Sequence, residues 1–171
     1  NDVVTIAGGD NTTKLGSLSY VDASGGLEIG SVNPDGIYSS GPILVETLDG
    51  DITLSQNLST DDTSADAIIL NAGRPSAVGT ASGGDIIVSG SPTLTYGSGG
   101  RAKLFSGTES GSTGLTTLAG GSSNVRTGFD EASQPNDLAD DNAYAIYRVS
   151  PGAGDLTIVA SGGDAINTTW S

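Results

Sequence analysis

Short β-branched runs recur between residues 42 and 108: ILVETL, DITL, AIIL, DIIV, LTY and AKLF, each cut by Gly, Asp, Asn or Ser. Some alternate apolar and polar residues, as in Ile52-Thr53-Leu54-Ser55, and others are continuous, as in Ile68-Ile69-Leu70 and Ile86-Ile87-Val88. A period of two marks a strand with one buried face, and a short continuous run fits a strand covered on both. No helical periodicity interrupts them. Upstream, Val3, Val4 and Ile6 predict one strand, and Leu18, Tyr20, Leu27 and Ile29 predict two more. Asn33-Pro34-Asp35-Gly36 is a turn, because Pro presets φ and Gly accepts a positive one. Downstream, the Gly/Ser/Thr-rich stretch 107–121 is expected to carry a strand at 115–118, followed by another within 124–129. Residues 130–142, DEASQPNDLADDN, read as an exposed acidic loop, and Ala143 to Val149 as a return to strand. The organisation expected is strand-and-turn coils over residues 1–150, with that loop near 130–142. Residues 151–171 would form a terminal strand continuing toward a next unit.

A Gly-Asp step precedes an aliphatic residue at Gly50-Asp51, Gly84-Asp85, Gly154-Asp155 and Gly163-Asp164, as if marking repeated corners of stacked coils. The ends also match: VVTIAGGDNTT near the start resembles TIVASGGDAINTT near the finish, which fits one unit of a series as well as shared composition. Aromatic residues are only 5% of the chain, with one Trp. A sandwich core normally holds more, whereas a thin solenoid core is lined by stacked Val, Ile and Leu and gains stability by stacking. The expected fold is all-β, a right-handed parallel β-helix (β-solenoid), with a β-sandwich as the alternative.

Glycine, 27 of 171 residues, shows no three-residue period, which excludes collagen. The clustering of apolar residues into runs argues against disorder. The net charge of −14 disfavours nucleic acid and anionic membrane surfaces as partners, since both need a basic footprint. The longest apolar run is too short to span a bilayer as a helix. The chain has no Cys, His or Met. Disulfides, thiol catalysis, most zinc sites and the commonest general base are therefore removed. The missing Met suggests a processed product or an excised piece. An acidic, Cys-free, Gly/Ser/Thr/Asp-rich β chain fits an extracellular bacterial protein.

The run GDITL…AIILNAG…SGGDIIVSG…GSGGRAKLFSGT…GLTTL, followed by AYAIYR, resembles secreted filamentous-haemagglutinin-like exoproteins of bacteria. Within that group it is similar to very long adhesins with MBG-type repeats, which carry Gly-Gly-Arg-x-x-Leu-(Tyr/Phe)-Ser-Gly, then Ser-Thr-Gly-Leu, then Tyr-Ala-Ile-Tyr-Arg. Here these are residues 99–107, 112–115 and 144–148. The resemblance covers residues 36–148. It implies a right-handed β-helix, export through a two-partner system, a role in surface attachment and no catalytic residues. The family's amino-terminal secretion domain is not visible in this sequence.

Carboxylates are the abundant reactive groups. Asp61-Asp62 and Asp140-Asp141 are adjacent pairs, and Asp49 and Asp51 flank Gly50. Adjacent strand residues point to opposite faces, so such pairs do not by themselves place two acids across a glycosidic bond. Turn acids are the expected role, with no catalytic residue and no cofactor site. Calcium is the one cofactor the charge suggests. The EF-hand spacing is absent, and Gly8-Gly9-Asp10 and Gly83-Gly84-Asp85 lack the middle Gly of the nonapeptide calcium repeat. Asp137, Asp140 and Asp141 are the remaining metal-ligand candidates. Asn11, Asn57 and Asn167 begin Asn-x-Ser/Thr triplets that reflect Ser/Thr richness. Tyr20, Tyr38, Tyr96, Tyr144 and Tyr147 would stack sugars if exposed, although coil-stacking positions are expected, with Tyr144 and Tyr147 on opposite faces of a strand.

These readings combine into a non-enzymatic structural and adhesive solenoid of an extracellular filament or large surface adhesin. Its expected partners are further copies, head to tail, and surface glycans or proteins. The alternatives are a carbohydrate-active β-helix enzyme and a calcium-dependent carbohydrate-binding module.

Overall fold

The computed structural model describes residues 3–151. The terminal strand expected after residue 151, two of the four Gly-Asp steps and the whole carboxy-terminal sequence match lie outside the described residues.

Thirteen strands form three sheets among the described residues. One contains β1 (Thr5–Ile6), β3 (Leu27–Ile29), β6 (Ile52–Leu54) and β9 (Ile86–Val88) in that order. A second runs β4 (Ile37–Ser39), β7 (Leu58–Thr60) and β10 (Leu94–Thr95). The third runs β2 (Leu18–Asp22), β5 (Ile43–Thr47), β8 (Ile68–Asn71), β11 (Ala102–Ser106), β13 (Ala143–Tyr147) and β12 (Val125–Thr127). Every one of these strand pairs is parallel. The chain visits the first, second and third sheets in turn and begins again: β3, β4, β5, then β6, β7, β8, then β9, β10, β11. Antiparallel pairing is confined, among the described residues, to an isolated bridge between Ser31 and Asp35, beside the predicted turn. The antiparallel Greek key of the sandwich alternative is therefore not present among the described residues.

The registers explain how so few apolar residues suffice. Leu27, Ile52 and Ile86 stack in one ladder, and Ile37, Leu58 and Leu94 in another. Tyr20, Val45, Leu70, Leu104 and Ala145 form a third. Like residues lie over like at the strand spacing of about 4.8 Å, and most are wholly buried in one continuous core. The three-residue strands β3, β4, β6 and β7 bury their first and third residues and leave the middle one half-exposed. Alternation predicts this for β3 and β6, whereas β4 and β7 bury the polar Ser39 and Thr60. β11 and β13 are buried throughout because their outer face is covered as well. There Phe105, Tyr144 and Ile146 form a second cluster with Ile69, Phe129 and Leu138. Tyr147 belongs to the first core and Tyr144 to the second, so they do lie on opposite faces.

The corners are built of glycine. Gly50 has φ +104° and Gly84 φ +143°. A Cβ on Gly50 would lie 2.0 Å from the Gly25 carbonyl oxygen, and one on Gly84 2.1 Å from that of Gly50. The Asp of each step also serves the stack, since the Asp85 amide donates to Asp51 Oδ1 at 2.8 Å.

One expectation fails toward the carboxy-terminal end, and the strand order changes there. Residues 115–118 form a single helical turn, α1 (Leu115–Leu118), rather than a strand. It follows Gly114, whose φ of +76° starts the turn, and it buries Leu115. The stacking also ceases to follow chain order, because β13 inserts between β11 and β12. β12 thus overshoots by one strand position, and residues 128–142 bring the chain back to fill the gap.

Candidate functional site

Residues 130–142 are irregular and largely exposed, as expected, but they strap the outer face of the third sheet. Arg101 donates to Leu138 O at 2.7 Å and to Asp140 Oδ1 at 2.6 Å. Lys103 Nζ reaches Gln134 Oε1 at 2.6 Å and also pairs with Asp66. Arg126 pairs with Asp137 at 2.8 Å while its guanidinium lies 5.2 Å from the centre of the Tyr144 ring. Of the six basic residues in the chain, these three hold the strap directly. Arg74 binds Glu46 at 3.2 Å and approaches Glu131 of the strap at 3.9 Å.

The metal-ligand candidates are engaged separately. Asp137 pairs with Arg126, Asp140 with Arg101, and Asp141 Oδ1 accepts the Gly99 amide at 2.7 Å. Hydrogen bonding to Arg126 lowers the Asp137 pKa. Among the described residues, no three acidic side chains converge on a point that would hold a metal ion. The other carboxylate pairs also diverge. Asp61 Oδ1 takes Lys14 Nζ at 2.6 Å, whereas Asp62 Oδ1 accepts the Ser64 amide at 2.9 Å. Asp51 serves the corner ladder, and Asp49 is exposed at the turn. Asn57 is a stacking residue, since its Oδ1 accepts the Thr93 amide at 2.8 Å and the Thr93 hydroxyl at 3.0 Å.

One acid pair has no signal in the sequence. Glu46 faces outward from β5, and its side chain is 3% exposed. Glu131 of the strap lies beside it and accepts from Asn71 Nδ2 at 2.9 Å. Burial, then the charge of Glu131, raises the Glu46 pKa, against the pull of Arg74. Nothing local in VETL signals this, because Glu131 arrives from a distant part of the chain. A folded pKa above the unfolded one makes a contribution that is fully present below the unfolded value, near 4.5, and is lost as pH rises through the folded value. Glu46→Gln is therefore expected to raise the melting temperature at pH 7, with the gain shrinking toward pH 4. Thermal melts at both pH values check this, and a variant no more stable than the parent at pH 7 would refute it.

A cleft of about 730 Å³ opens at the end of the stack, beside β10. Leu94 and Tyr96 contribute from β10 and the residues after it, Leu118 from α1, Asn124 from the turn beyond, and Asp141 and Asn142 from the approach to β13. Burial, with Asp141 and Tyr144 nearby, raises the Tyr96 pKa, so its hydroxyl stays protonated at neutral pH. Asn124 Nδ2 donates to Ala119 O at 2.7 Å, and Asn142 Nδ2 to Asp140 O at 2.9 Å. Tyr96 is among the tyrosines that the sequence singles out. Its companions are not, except Asp141, because separate segments bring them together. Among the described residues, no helix is long and apolar enough to cross a membrane.

No protein-family model, curated protein or solved structure matches this chain.

Proposed function

We propose that the chain is a stretch of right-handed parallel β-helix acting as a non-enzymatic structural and adhesive element of an extracellular bacterial filament or large surface adhesin. The observation that carries this reading is the cyclic visit to three parallel sheets with like residues in register. Parallel strands joined by crossovers in one sheet are right-handed in nearly all proteins, and a helical circuit through three sheets accounts for both the registers and the corner glycines. Such a body is held by main-chain ladders and adds stability with each coil.

The sheet edges supply the means of assembly. Among the described residues, β1 and β2 are the outer strands with an open edge at one end, where Gly8 and Leu15 already pair with β4, and β10 and β12 are those at the other, where α1 covers β9. Open edges of this kind accept further strands. Head-to-tail stacking of copies therefore extends the same ladders that hold one copy together, and the net charge of −14 keeps the sides of the rod apart. Static light scattering over a concentration series tests this. The mass is expected to rise with concentration, and a constant monomer mass would oppose the reading.

A further inference from the structure

The described stack ends unevenly. The first two sheets stop at β9 and β10, while the third continues through β13 and β12. α1 packs against β9, and the space beside β10 is left as the cleft. We propose that this cleft binds one or two residues of an uncharged glycan. This goes beyond the structural reading: a copy stacked on β10 would fill the cleft, so the sugar is bound by a chain whose β10 edge is free, and each idea has its own measurement and can fail without the other.

Size, charge and preorganisation argue for it. A volume of about 730 Å³ falls within the ~300–1,000 Å³ of small-ligand sites. Among the described residues, no lysine or arginine lines the cleft, and its single carboxylate belongs to Asp141. In a chain of net charge −14, uronates, sialylated sugars and phosphates would enter with no cation to meet them and an acid to repel them. A neutral sugar meets neither penalty. The lining suits its two-sided character: Tyr96, Leu94 and Leu118 offer apolar surface to ring C–H groups, and Tyr96 adds a polar tip. Asn124, Asp141 and Asn142 offer oxygens and amide groups to hydroxyls. Each is already held by one bond to the protein, from Asn124 and Asn142 to main-chain carbonyls and from the Gly99 amide to Asp141. The remaining hydrogen-bonding capacity of these groups is therefore oriented before a ligand arrives, which reduces the ordering cost of binding.

The test is a titration of the full chain, followed by amide chemical shifts, with neutral gluco-, manno- and galacto-trisaccharides and with trigalacturonate. At least one neutral trisaccharide is expected to saturate, with shifts centred on Leu94, Tyr96 and Asn124. Trigalacturonate is expected to bind at least about tenfold more weakly. Asn124→Ala, on the surface of the cleft, and Tyr96→Ala should each weaken the neutral sugar by about tenfold or more, the scale of one lost hydrogen bond or stacking contact. Asp137→Asn, on the strap, should leave binding unchanged. The proposal is overturned if no neutral trisaccharide saturates, if the uronate binds as well, or if a folded Asn124→Ala chain binds like the parent.

Discussion

Replacing Arg148 with Met is expected to destabilise the fold by about 3–5 kcal/mol, the scale of several buried carbonyls left without a donor at about 1–3 kcal/mol each. Arg148 is 1% exposed. Its guanidinium donates to Ala72 O at 2.6 Å, Gly84 O at 2.8 Å, Ser82 O at 3.3 Å and Thr80 O at 3.4 Å. These carbonyls span the long connection between β8 and β9, so one side chain ties that connection to the end of β13. Burial lowers the Arg148 pKa, with Asp85 and Asp130 opposing, yet a guanidinium remains charged at any ordinary pH. Methionine fills much of the volume but leaves the Ala72, Ser82 and Thr80 carbonyls without this donor, at about 1–3 kcal/mol for each one that water cannot reach, while the Gly84 carbonyl keeps the Gly107 amide. Lysine supplies the charge without the planar fork and is expected to fall between. Urea unfolding measures all three. A midpoint for Arg148→Met within error of the parent would mean that the connection is held by something else.

The second large effect is at the corners. Gly84→Ala is expected to cost about 3 kcal/mol or more, because it combines an unfavourable φ with a collision against main chain. At φ +143° an L side chain is strained, and its Cβ would meet the Gly50 carbonyl oxygen of the coil beneath at 2.1 Å. That carbonyl accepts the Thr47 hydroxyl at 2.6 Å, a bond that its retreat would disturb. Gly79 separates the two causes. It has φ +84°, but a Cβ added there would meet nothing within 4 Å, so Gly79→Ala should cost only about 1–2 kcal/mol. Equal losses at Gly79 and Gly84 would show that conformation alone matters and that the coils do not press together at this corner.

Much of the stack is legible in the sequence because its signals are local. Ile52-Thr53-Leu54 alternates, its first and third residues are buried, and Gly50-Asp51 before it marks a corner. The turn at 115–118 is not legible. LTTL has the β-branched content of a strand, and its conformation is set by Gly114 and by the burial of Leu115, which only the assembled fold provides. The overshoot of β12 is hidden for a similar reason: strand order depends on which edge is free when the chain returns. The acidic loop is recognisable as irregular, but its attachment is not. Arg101, Lys103 and Arg126 are scattered in sequence and become one cationic flank only when β11 and β12 are brought beside β13. Bases placed within or beside apolar strands are the available hint, because a base beside a buried strand needs an acidic or carbonyl partner. The cleft beside β10 lies further out of reach, since its walls come from segments well separated in sequence.

Electron microscopy of the purified full chain across a concentration series tests the central claim most directly. If these coils stack as proposed, concentrated samples contain unbranched rods of constant width, whose length grows with concentration. Discrete compact particles of one size at every concentration would contradict it.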